Sequence, residues 1–257
     1  MSAVSSAARG RADVHIHTLA SDGVSSVTEI LDAAVSAGLN VIAVADHERV
    51  DAAHAAQRQA RERELDLEVM VAEEITTRGG HLLALAIDER IRPWGSLKTS
   101  VARVHEQGGL AVIPHPLVPY PLCASAGAIL RLLDEADPVF HPDAIEVFNP
   151  TTARMRWARD VPSFARKVGL PALASSDAHR AADVGHALTT FPGRSAADLM
   201  AAIRAGKTEW EGAPYTWRRQ MTVFLEQQRK NVRAANANAR HRLLREGPGR
   251  DLGYPRT

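Results

Sequence analysis

The sequence contains almost no cysteine and no long hydrophobic run. Cys123 is the only cysteine among the 257 residues, so the chain can form neither an internal disulfide nor a zinc site built from several thiolates. No run of 18 or more apolar residues is present, which excludes a membrane-spanning helix of ordinary length. Residues 1–11 are small and polar and lack the apolar core of a signal peptide, and we expect a disordered lead-in there. These features favour a cytoplasmic protein with no membrane partner.

The chain also has little net charge, +1, but the two signs are unevenly distributed. Residues 213–257 contain ten lysines and arginines against three aspartates and glutamates, a net charge of +7, so the remainder carries −6. An acidic body with a basic tail suggests two parts with different roles. We therefore predict one domain over residues 12–212 and a basic helical extension over residues 213–257.

Apolar runs alternate with helical patterns throughout the predicted domain. Seven runs predict β-strands, at residues 13–17, 40–46, 67–76, 81–87, 110–115, 144–149 and 171–177. Most are continuously apolar, which is typical of strands covered on both faces in an α/β fold. Helices are predicted at residues 26–37, 50–64, 97–107, 126–135, 152–167 and 195–205. The alternation predicts a largely parallel sheet. The short link before His81 instead predicts a hairpin that brings His81 close to Glu74.

Side chains that can bind metals fall at the ends of these strands. His15 and His17 are two residues apart in an extended segment, so their imidazoles project to one face and could bind a metal together. Such a pair also occurs in ordinary half-buried strands, but comparable groups recur downstream. The other candidates are Asp22, Asp46, His47, Glu73 or Glu74, His81, His115, Glu146, Asp177 and His179. The carboxyl ends of strands form the active-site face of an α/β barrel, so we expect one common site.

Asp13, three histidines and Cys123 are predicted to lie outside the ligand set. Asp13 is expected on the same face as His15 and His17, where its carboxylate could accept an imidazole N–H. His54, His105 and His241 lie in helical or polar stretches and are predicted to be solvated. Cys123 is expected to be a small buried apolar residue.

Several short motifs, taken in order, resemble the PHP (polymerase and histidinol phosphatase) superfamily. They are Asp13-Val14-His15-Ile16-His17-Thr18, Ser21-Asp22-Gly23, Ala45-Asp46-His47, Glu74-Ile75-Thr76 with His81-Leu82-Leu83, Pro114-His115-Pro116, Ala144-Ile145-Glu146-Val147, and Ser176-Asp177-Ala178-His179 with Gly185. The resemblance covers roughly residues 12–212. It implies a distorted seven-stranded β/α (TIM-like) barrel with two or three metal ions, a trinuclear centre when complete, that hydrolyses phosphoesters.

The resemblance also implies which residues hold the ions. One ion would be bound by His15, His17, Glu74 and Asp177. A second would share Glu74 and add His81 and His115. A third would be bound by Asp22, His47 and His179. The carboxylates of Asp13, Asp46 and Glu146 would not bind the ions but would hold these ligands in place by hydrogen bonds. Glu74 directly precedes the Ile-Thr of its motif and is therefore preferred to Glu73, although the choice stays open.

The sequence departs from the common family pattern at a few positions. Ala45 stands where a threonine is usual, and Ala72-Glu73 stands where glycine and an apolar residue are common; neither change removes a ligand. Histidinol phosphatases often have a histidine where this chain has Asp22. The Ser-Asp-Gly version resembles short bacterial members that act on nucleotides or oligonucleotides.

The implied ligands are nitrogen and carboxylate oxygen, which suit Mn²⁺, Fe²⁺ or Zn²⁺ better than Ca²⁺ or Mg²⁺. Such ions could activate a water as metal-bound hydroxide, so no side chain need act as the nucleophile. Arg49 and Arg180 each follow a candidate ligand histidine and could bind substrate phosphate, unless they are ordinary surface arginines. Loops 90–96 and 117–125 are expected to shape the specificity pocket.

The basic extension carries an apolar stripe at helical spacing, formed by Trp217, Met221, Phe224, Leu225 and Val232. We expect it to dock on the barrel or to form a homo-oligomer, with a solvated basic face formed by Arg218, Arg219, Arg229, Lys230 and Arg233. Contact with nucleic acid is the second alternative.

The function expected from the sequence is hydrolysis of a phosphomonoester of a nucleotide or related small metabolite. One alternative is an exonuclease or oligonucleotidase whose strand the basic tail guides. The other is a catalytically silent structural or regulatory PHP module, which the complete ligand set argues against.

Overall fold

A computed structural model describes residues 9–223 and 225–230 of the chain. Its strands form a single sheet in the order β7-β6-β5-β4-β3-β2-β1-β8-β9. The nine strands of the described residues are β1 (Arg9–Ile16), β2 (Val41–Val44), β3 (Glu68–Thr77), β4 (Gly80–Leu85), β5 (Leu110–Ile113), β6 (Ala144–Phe148), β7 (Ala172–Ala174), β8 (Ala187–Pro192) and β9 (Glu209–Gly212).

The seven predicted strands correspond to β1–β7, and the α/β barrel class is confirmed with two additional strands. The predicted hairpin is also present, because β3 and β4 are antiparallel with Thr77 opposite Gly80. The sequence did not indicate β8 and β9. β8 pairs with β1 in antiparallel orientation, and β9 pairs in the same way with β8. β1 already begins at Arg9, so residues 9–11 belong to the sheet and not to a lead-in. The rest of that predicted lead-in lies outside the described residues.

Within the described part of the barrel, six α-helices cover the sheet: α1 (Val27–Ser36), α2 (Asp51–Glu62), α3 (Leu97–Glu106), α4 (Ala126–Leu133), α5 (Val161–Val168) and α6 (Ala196–Arg204). Ser26 caps α1 in a capping box with Glu29, which supplies acceptors for otherwise free N–H groups. The prediction of one helix over residues 152–167 is wrong. Only α5 is α-helical there, after a 3-10 turn at Arg156–Asp160. Pro162 lies in its first turn, the part of a helix that tolerates proline.

The core consists of one interior cluster and two exterior clusters. The interior cluster contains small and apolar side chains of the strands, including Ala12, Val41 and Leu83, and it continues into Leu199 and Ile203 of α6. One exterior cluster packs α1 and α2 on β1–β3, and the other packs α3–α5 on β4–β6. The strands are therefore apolar on both faces, as their composition predicts. No helix among residues 9–223 and 225–230 has the length and hydrophobicity to span a membrane.

The sheet curls so that β1 approaches the chain just after β7. His17 donates its backbone N–H to the Ala178 carbonyl at 2.8 Å, and the Ala178 N–H reaches the His15 carbonyl at 3.2 Å. Further along, Thr189 of β8 bonds both the N–H and the carbonyl of Ala174 in β7 through its hydroxyl. The sheet is thereby nearly closed into a barrel, and its closure brings the first strand's histidines to Asp177.

Candidate metal centre

The structure brings together all nine residues that the sequence analysis singled out as ligands. They come from the ends of β1, β2, β3, β5 and β7, from the loops that follow these strands, and from the start of β4. Four triads have ligand atoms within 4.8 Å of one another: His15, His17 and Asp177; His15, Glu74 and His115; His17, Asp22 and His179; and His17, His47 and Glu74. His81 joins the cluster through Glu74.

Glu74 is the carboxylate at the centre of this cluster. Its Oε1 lies 2.7 Å from His81 Nδ1 and 2.9 Å from His115 Nε2. Its Oε2 lies 3.3 Å from the Nε2 atoms of both His15 and His17 and 3.4 Å from that of His47. The two oxygens therefore divide the histidines into two groups. This arrangement suits a carboxylate shared between two ions.

Glu73 points the opposite way along β3, as alternation requires. Its Oε2 accepts the backbone N–H of Ile91 at 2.8 Å, and its Oε1 has no partner. Burial raises the pKa of the Glu73 carboxyl to about 7. Geometry thus places Glu74, and not Glu73, among the histidines.

Of the other two carboxylates, Asp177 shares the Nε2 side of His17 with Glu74, and Asp22 lies on the Nδ1 side. Asp177 Oδ1 is 3.3 Å from His17 Nε2 and 3.6 Å from His15 Nε2. Asp22 Oδ2 accepts from His179 Nε2 at 2.9 Å, while its Oδ1 lies 3.5 Å from His17 Nδ1 and 3.9 Å from His47 Nε2. His17 therefore has Asp22 at Nδ1 and both Glu74 and Asp177 at Nε2.

The chemistry of the cluster fits divalent cations. Buried polar atoms usually form hydrogen bonds, yet His15 Nε2, His17 Nδ1 and both ring nitrogens of His81 form none of acceptable geometry, although carboxylate oxygens lie close to three of them. Burial alone would lower the pKa of His17, but the carboxylates of Asp22, Asp177 and Glu74 raise it to about 10. The pKa of Glu74 is lowered well below its usual value because nearby histidines outweigh its burial. A metal ion can supply the positive charge that protons would otherwise bring, with neutral imidazoles as its ligands.

Glu146 holds two candidate ligands in place. Its Oε1 lies 3.3 Å from His15 Nδ1, and its Oε2 accepts the backbone N–H of His115 at 2.7 Å. Ser175 and Asn149 donate to the same carboxylate. Glu146 therefore fixes the orientation of the His15 ring from the side away from the cluster, where a supporting group is expected.

Asp46 supports a different segment. Its carboxylate accepts the backbone N–H of Thr18 at 2.8 Å, the Thr18 hydroxyl at 2.6 Å and the Ser21 hydroxyl. These bonds shape the turn that leads from His17 to Asp22.

The expectation that Asp13 accepts an imidazole N–H on the face of His15 and His17 is wrong. Its carboxylate bonds no imidazole and accepts instead from the Ser176 N–H, the Ser176 hydroxyl and the Gly185 N–H. The register of β1 against β2 shifts between Asp13 and Ile16, and Asp13 pairs with Ile42, which faces α1 and α2. A bulge of this kind breaks the alternation of side chains, so Asp13 does not share the face of His15 and His17.

Backbone conformation also helps to aim the candidate ligands. His115 and Asp177 have positive φ angles of 31° and 50°, a region that residues other than glycine rarely adopt. Each such residue costs on the order of 1–3 kcal/mol and persists where its surroundings fix it. Here Glu146 accepts the His115 N–H, and Asn149 donates to Asp177 Oδ2 at 3.1 Å.

Cys123 is not the buried apolar residue that we expected. It is half-buried, and its Sγ lies 3.3 Å from His115 Nδ1, on the side of the ring away from Glu74. Its contact with the ring depends on the fold of the loop after β5, so residue type alone could not indicate it.

The two arginines predicted to bind phosphate are paired with acids of the chain. Arg49 forms a two-point contact with Asp51, at 2.7 and 2.6 Å, and donates to the Ala20 carbonyl. Arg180 contacts Asp183 and Glu226. Both lie on loops next to candidate ligands, as predicted, but their guanidinium groups are engaged.

Cavities near the cluster show where a substrate could approach. A cavity of about 610 Å³ is lined by His47, Glu48, Arg49 and Arg90. Arg90 also lines a groove of about 820 Å³ that contains Arg78, Arg92 and Trp94. A third cavity, of about 290 Å³, lies beside His115 and includes Phe148 and Trp210. Residues of loop 90–96 line two of these cavities, whereas residues 117–125 line none of the three.

Comparisons with known proteins agree with this architecture. A family model described as PHP-associated matches residues 156–208. The uncharacterized protein MJ1587 of Methanocaldococcus jannaschii is 32% identical over 150 residues, which is 54% of this chain and 81% of that protein. A 5'-3' exoribonuclease of Haemophilus influenzae is 37% identical over 81 residues, which cover 30% of this chain and 29% of that protein.

A solved structure has the same fold. It is a two-domain protein from Bacteroides vulgatus containing a predicted PHP-like metal-dependent phosphoesterase. The TM-score is 0.66 at 19% sequence identity, and the match covers 80% of this chain and 66% of that one. At this identity the likeness shows the fold. The matching family model, the barrel and the buried clusters of histidine and carboxylate together show that this chain belongs to the PHP superfamily.

Proposed function

We propose that the protein is a cytoplasmic metal-dependent hydrolase that cleaves a phosphomonoester, the phosphate of a nucleotide or of a related small metabolite. The observation that carries the proposal is the convergence of six histidines and three carboxylates in one pocket. Membership of the PHP superfamily and the phosphoesterase named in the Bacteroides vulgatus structure support hydrolysis of this kind.

The proposed ligand sets follow the distances in the cluster. His15, His17, Glu74 and Asp177 would hold one ion, and Glu74 would be shared with a second ion bound by His81 and His115. Asp22, His47 and His179 would hold a third. Nitrogen and carboxylate donors favour Mn²⁺, Fe²⁺ or Zn²⁺. When bound, such ions lower the pKa of a coordinated water from ~15.7 toward ~7 and neutralise charge on phosphoryl oxygens.

The chain's own residues would orient the donors and the substrate. Glu146 keeps the Nδ1 side of His15 occupied, so that Nε2 faces Glu74 and Asp177. Asn149 donates to both Glu146 and Asp177 and so links the two sides of the cluster. No side chain in the pocket needs to attack the phosphorus.

Arg90 is a better candidate for substrate phosphate than Arg49 or Arg180. It lines the cavity that contains His47, and it forms no ion pair with a carboxylate of the described residues. A guanidinium that is not already paired can form two parallel hydrogen bonds with a phosphate. We therefore propose that the phosphate enters past Arg90 and His47.

An oligonucleotide is the second candidate substrate. The groove beyond Arg90 adds Arg78 and Arg92, and Trp94 is 62% exposed there, free to stack on a base. The similarity to a 5'-3' exoribonuclease also favours this alternative. The tail is a weaker guide for such a strand than the sequence suggests, because two of its cations, Arg219 and Lys230, contact the barrel.

The decisive experiment measures metal content together with hydrolysis. Protein purified without a metal-affinity step is analysed for Mn, Fe and Zn, and is then assayed with an aryl phosphate with and without added Mn²⁺. We expect two to three ions per chain and metal-dependent release of phosphate. Nucleoside monophosphates and short 5'-phosphorylated oligonucleotides, assayed in parallel, distinguish the two substrate classes.

A protein that binds no transition metal under replete conditions would overturn the proposal and favour a structural module. Full turnover after complete removal of metal by a chelator would also overturn it.

A further inference from the structure

The segment that follows the barrel reaches back to the metal pocket. Residues 217–223 and 225–230 are helical, and we call them the C-terminal segment. We propose that Lys230 and Gln227 of this segment hold the loop of residues 19–23 so that Asp22 faces His17, His47 and His179. This inference rests on the proposed function, because it assigns Asp22 a role in binding one of the ions.

Lys230 acts on the backbone of the loop. Its Nζ donates to the carbonyl oxygens of Leu19 at 3.0 Å and Gly23 at 2.7 Å, and also to that of Ser21. An ammonium group has three N–H donors, and here each of them has a backbone acceptor. The three carbonyls thus form a small cation site that the tail fills with its own lysine.

Gln227 acts on Asp22 directly. Its Nε2 lies 3.4 Å from the Asp22 carbonyl oxygen and 3.3 Å from Oδ2, the oxygen that also accepts from His179. Lys230 and Gln227 therefore bracket Asp22, one holding the loop around it and the other its carboxylate.

Asp22 needs such support more than the other candidate carboxylates. Its side chain is 42% exposed, whereas those of Glu74 and Asp177 are 2% and 11% exposed. Glu74 lies within a central strand, and Asp177 is fixed by Asn149, but Asp22 belongs to a loop. The loop itself packs closely on the residue that follows β1, since a Cβ atom at Gly23 would lie 2.5 Å from the His17 carbonyl oxygen.

Further contacts anchor the segment on the same face of the barrel. Arg180 contacts Glu226, and Arg219 contacts Asp183 and the Ala182 carbonyl. Just before the segment, the buried Tyr215 donates its hydroxyl to the carbonyl of Ser176, next to Asp177. The segment is therefore positioned over the Asp22 side of the pocket.

The expected consequence is selective. Removing the lysine or glutamine should weaken the ion held by Asp22, His47 and His179 and spare the ions held around Glu74. The variants are Lys230→Ala and Gln227→Ala in the full chain. Gln228→Ala and Arg229→Ala are matched controls, because both side chains belong to the same segment and are exposed.

The first readout is bound metal per chain, measured by elemental analysis after equilibration at graded free Mn²⁺ and Zn²⁺. We expect Lys230→Ala and Gln227→Ala to bind about one ion fewer, or that ion ~10-fold more weakly, since each variant loses hydrogen bonds in which the donor or the acceptor is charged. The controls should match the wild type. Ammonium chloride, compared with sodium chloride at equal ionic strength, should restore the lost ion in Lys230→Ala by filling the carbonyl site, but not in Gln227→Ala.

The second readout is amide hydrogen exchange of residues 18–23 in metal-free protein. Exchange should accelerate in Lys230→Ala and stay unchanged in Arg229→Ala. If the wild type binds no metal, the proposed function fails while the exchange experiment still tests the contact of the tail. Equal metal stoichiometry and equal exchange in the variants and the wild type would overturn the inference itself.

Discussion

The two halves of the metal pocket are built in different ways. Around Glu74 the candidate ligands are part of the barrel, and His15, His17 and Glu74 are at most 2% exposed. Around Asp22 they lie on loops, and Asp22, His47 and His179 are 42%, 27% and 16% exposed. The interior half is fixed by strand pairing and burial. The rim half depends on hydrogen bonds from Asp46 and from the C-terminal segment.

Because of this difference, we expect the two halves to bind metal ions with different affinities. Buried carboxylates have lost their hydration, and their charge must be neutralised, so the interior half should hold its ions tightly. The rim half is partly solvated, and its ion should exchange more readily. The predictions below test that division, beginning with the largest effect.

Replacing Glu74 with glutamine should have the largest effect. Glu74 lies within 3.4 Å of five histidines, so Glu74→Gln removes the charge that two ions would share. We expect metal content to fall by about two ions and turnover to fall by at least ~1,000-fold. Glu73→Gln is the matched control, since that neighbour faces away and an amide oxygen can still accept from Ile91. Similar metal loss in both variants would contradict the assignment.

Glu146→Gln should have an intermediate effect on the interior half. The amide would place an N–H group against the Ser175 hydroxyl and His15 or against the His115 N–H, and His15 would lose its fixed orientation. Loss of a supporting carboxylate of this kind typically weakens metal binding by roughly 10- to 100-fold. Titration of apo-protein with Zn²⁺ in competition with a chelator measures this.

Asp13→Asn should affect stability more than metal binding, in contrast to Glu146→Gln. The Asp13 carboxylate accepts hydrogen bonds from Ser176 and Gly185 and contacts no imidazole. Its three accepted hydrogen bonds come from buried backbone and hydroxyl groups, so we expect a loss of about 1–3 kcal/mol in the free energy of unfolding. The loss of metal affinity should be smaller than for Glu146→Gln. The opposite ranking in the zinc titration would show that the bulge in β1 does not separate the two roles.

Sequence reasoning named the candidate ligands of both halves and strands β1–β7, but it missed β8, β9 and the bulge in β1. Strands β1–β7 carry apolar runs, and the interior histidines and carboxylates lie at or near their ends, so local patterns identify both. β9 has no such pattern, because all four of its residues are exposed. The bulge that turns Asp13 away also leaves no trace in the residue types around it.

The features that the sequence could not indicate are contacts between distant segments. Arg219 and Lys230 were expected on a solvated basic face together with Arg218 and Arg229, yet both bind the barrel. The packing of the C-terminal segment determines which of its basic side chains contact the barrel. Phe224, Val232 and Arg233, which belong to the same predicted pattern, lie outside the described residues.

At the mouth of the pocket, Arg90→Ala should affect binding more than chemistry. Arg90 lines the cavity beside His47 and is not itself a candidate ligand. We expect KM for a phosphomonoester to rise roughly 10-fold with kcat nearly unchanged, since a contact made equally to substrate and transition state is lost. Arg49→Ala should have a smaller effect, because Asp51 already binds that guanidinium. A larger rise in KM for Arg49→Ala would reassign the phosphate contact.

The smallest effect concerns a histidine–carboxylate pair outside the pocket. We expected His105 to be solvated, but its Nε2 lies 2.8 Å from Asp143 Oδ2, and its Nδ1 lies 2.7 Å from the Val139 carbonyl oxygen. Each ring nitrogen of His105 therefore faces an oxygen acceptor, and the protonated ring can donate a hydrogen bond to both. In the pocket, by contrast, several ring nitrogens have no hydrogen-bond partner.

The hydrogen bond to Asp143 raises the pKa of His105 above its usual value, although burial opposes the shift. A raised pKa in the folded state stabilises the protein below the pKa of the unfolded state, ~6.5, and this stability is lost as pH rises through the folded value. The wild type should therefore lose about 0.5–1 kcal/mol relative to His105→Gln between pH 6 and pH 9. Urea unfolding of both proteins, with metal removed so that only this pair differs, measures the change. If the free energies of unfolding of the two proteins changed in parallel with pH, His105 would carry no extra proton in the folded state. A proton would then not satisfy the His105–Asp143 pair in the way that we expect a metal ion to satisfy the cluster around Glu74.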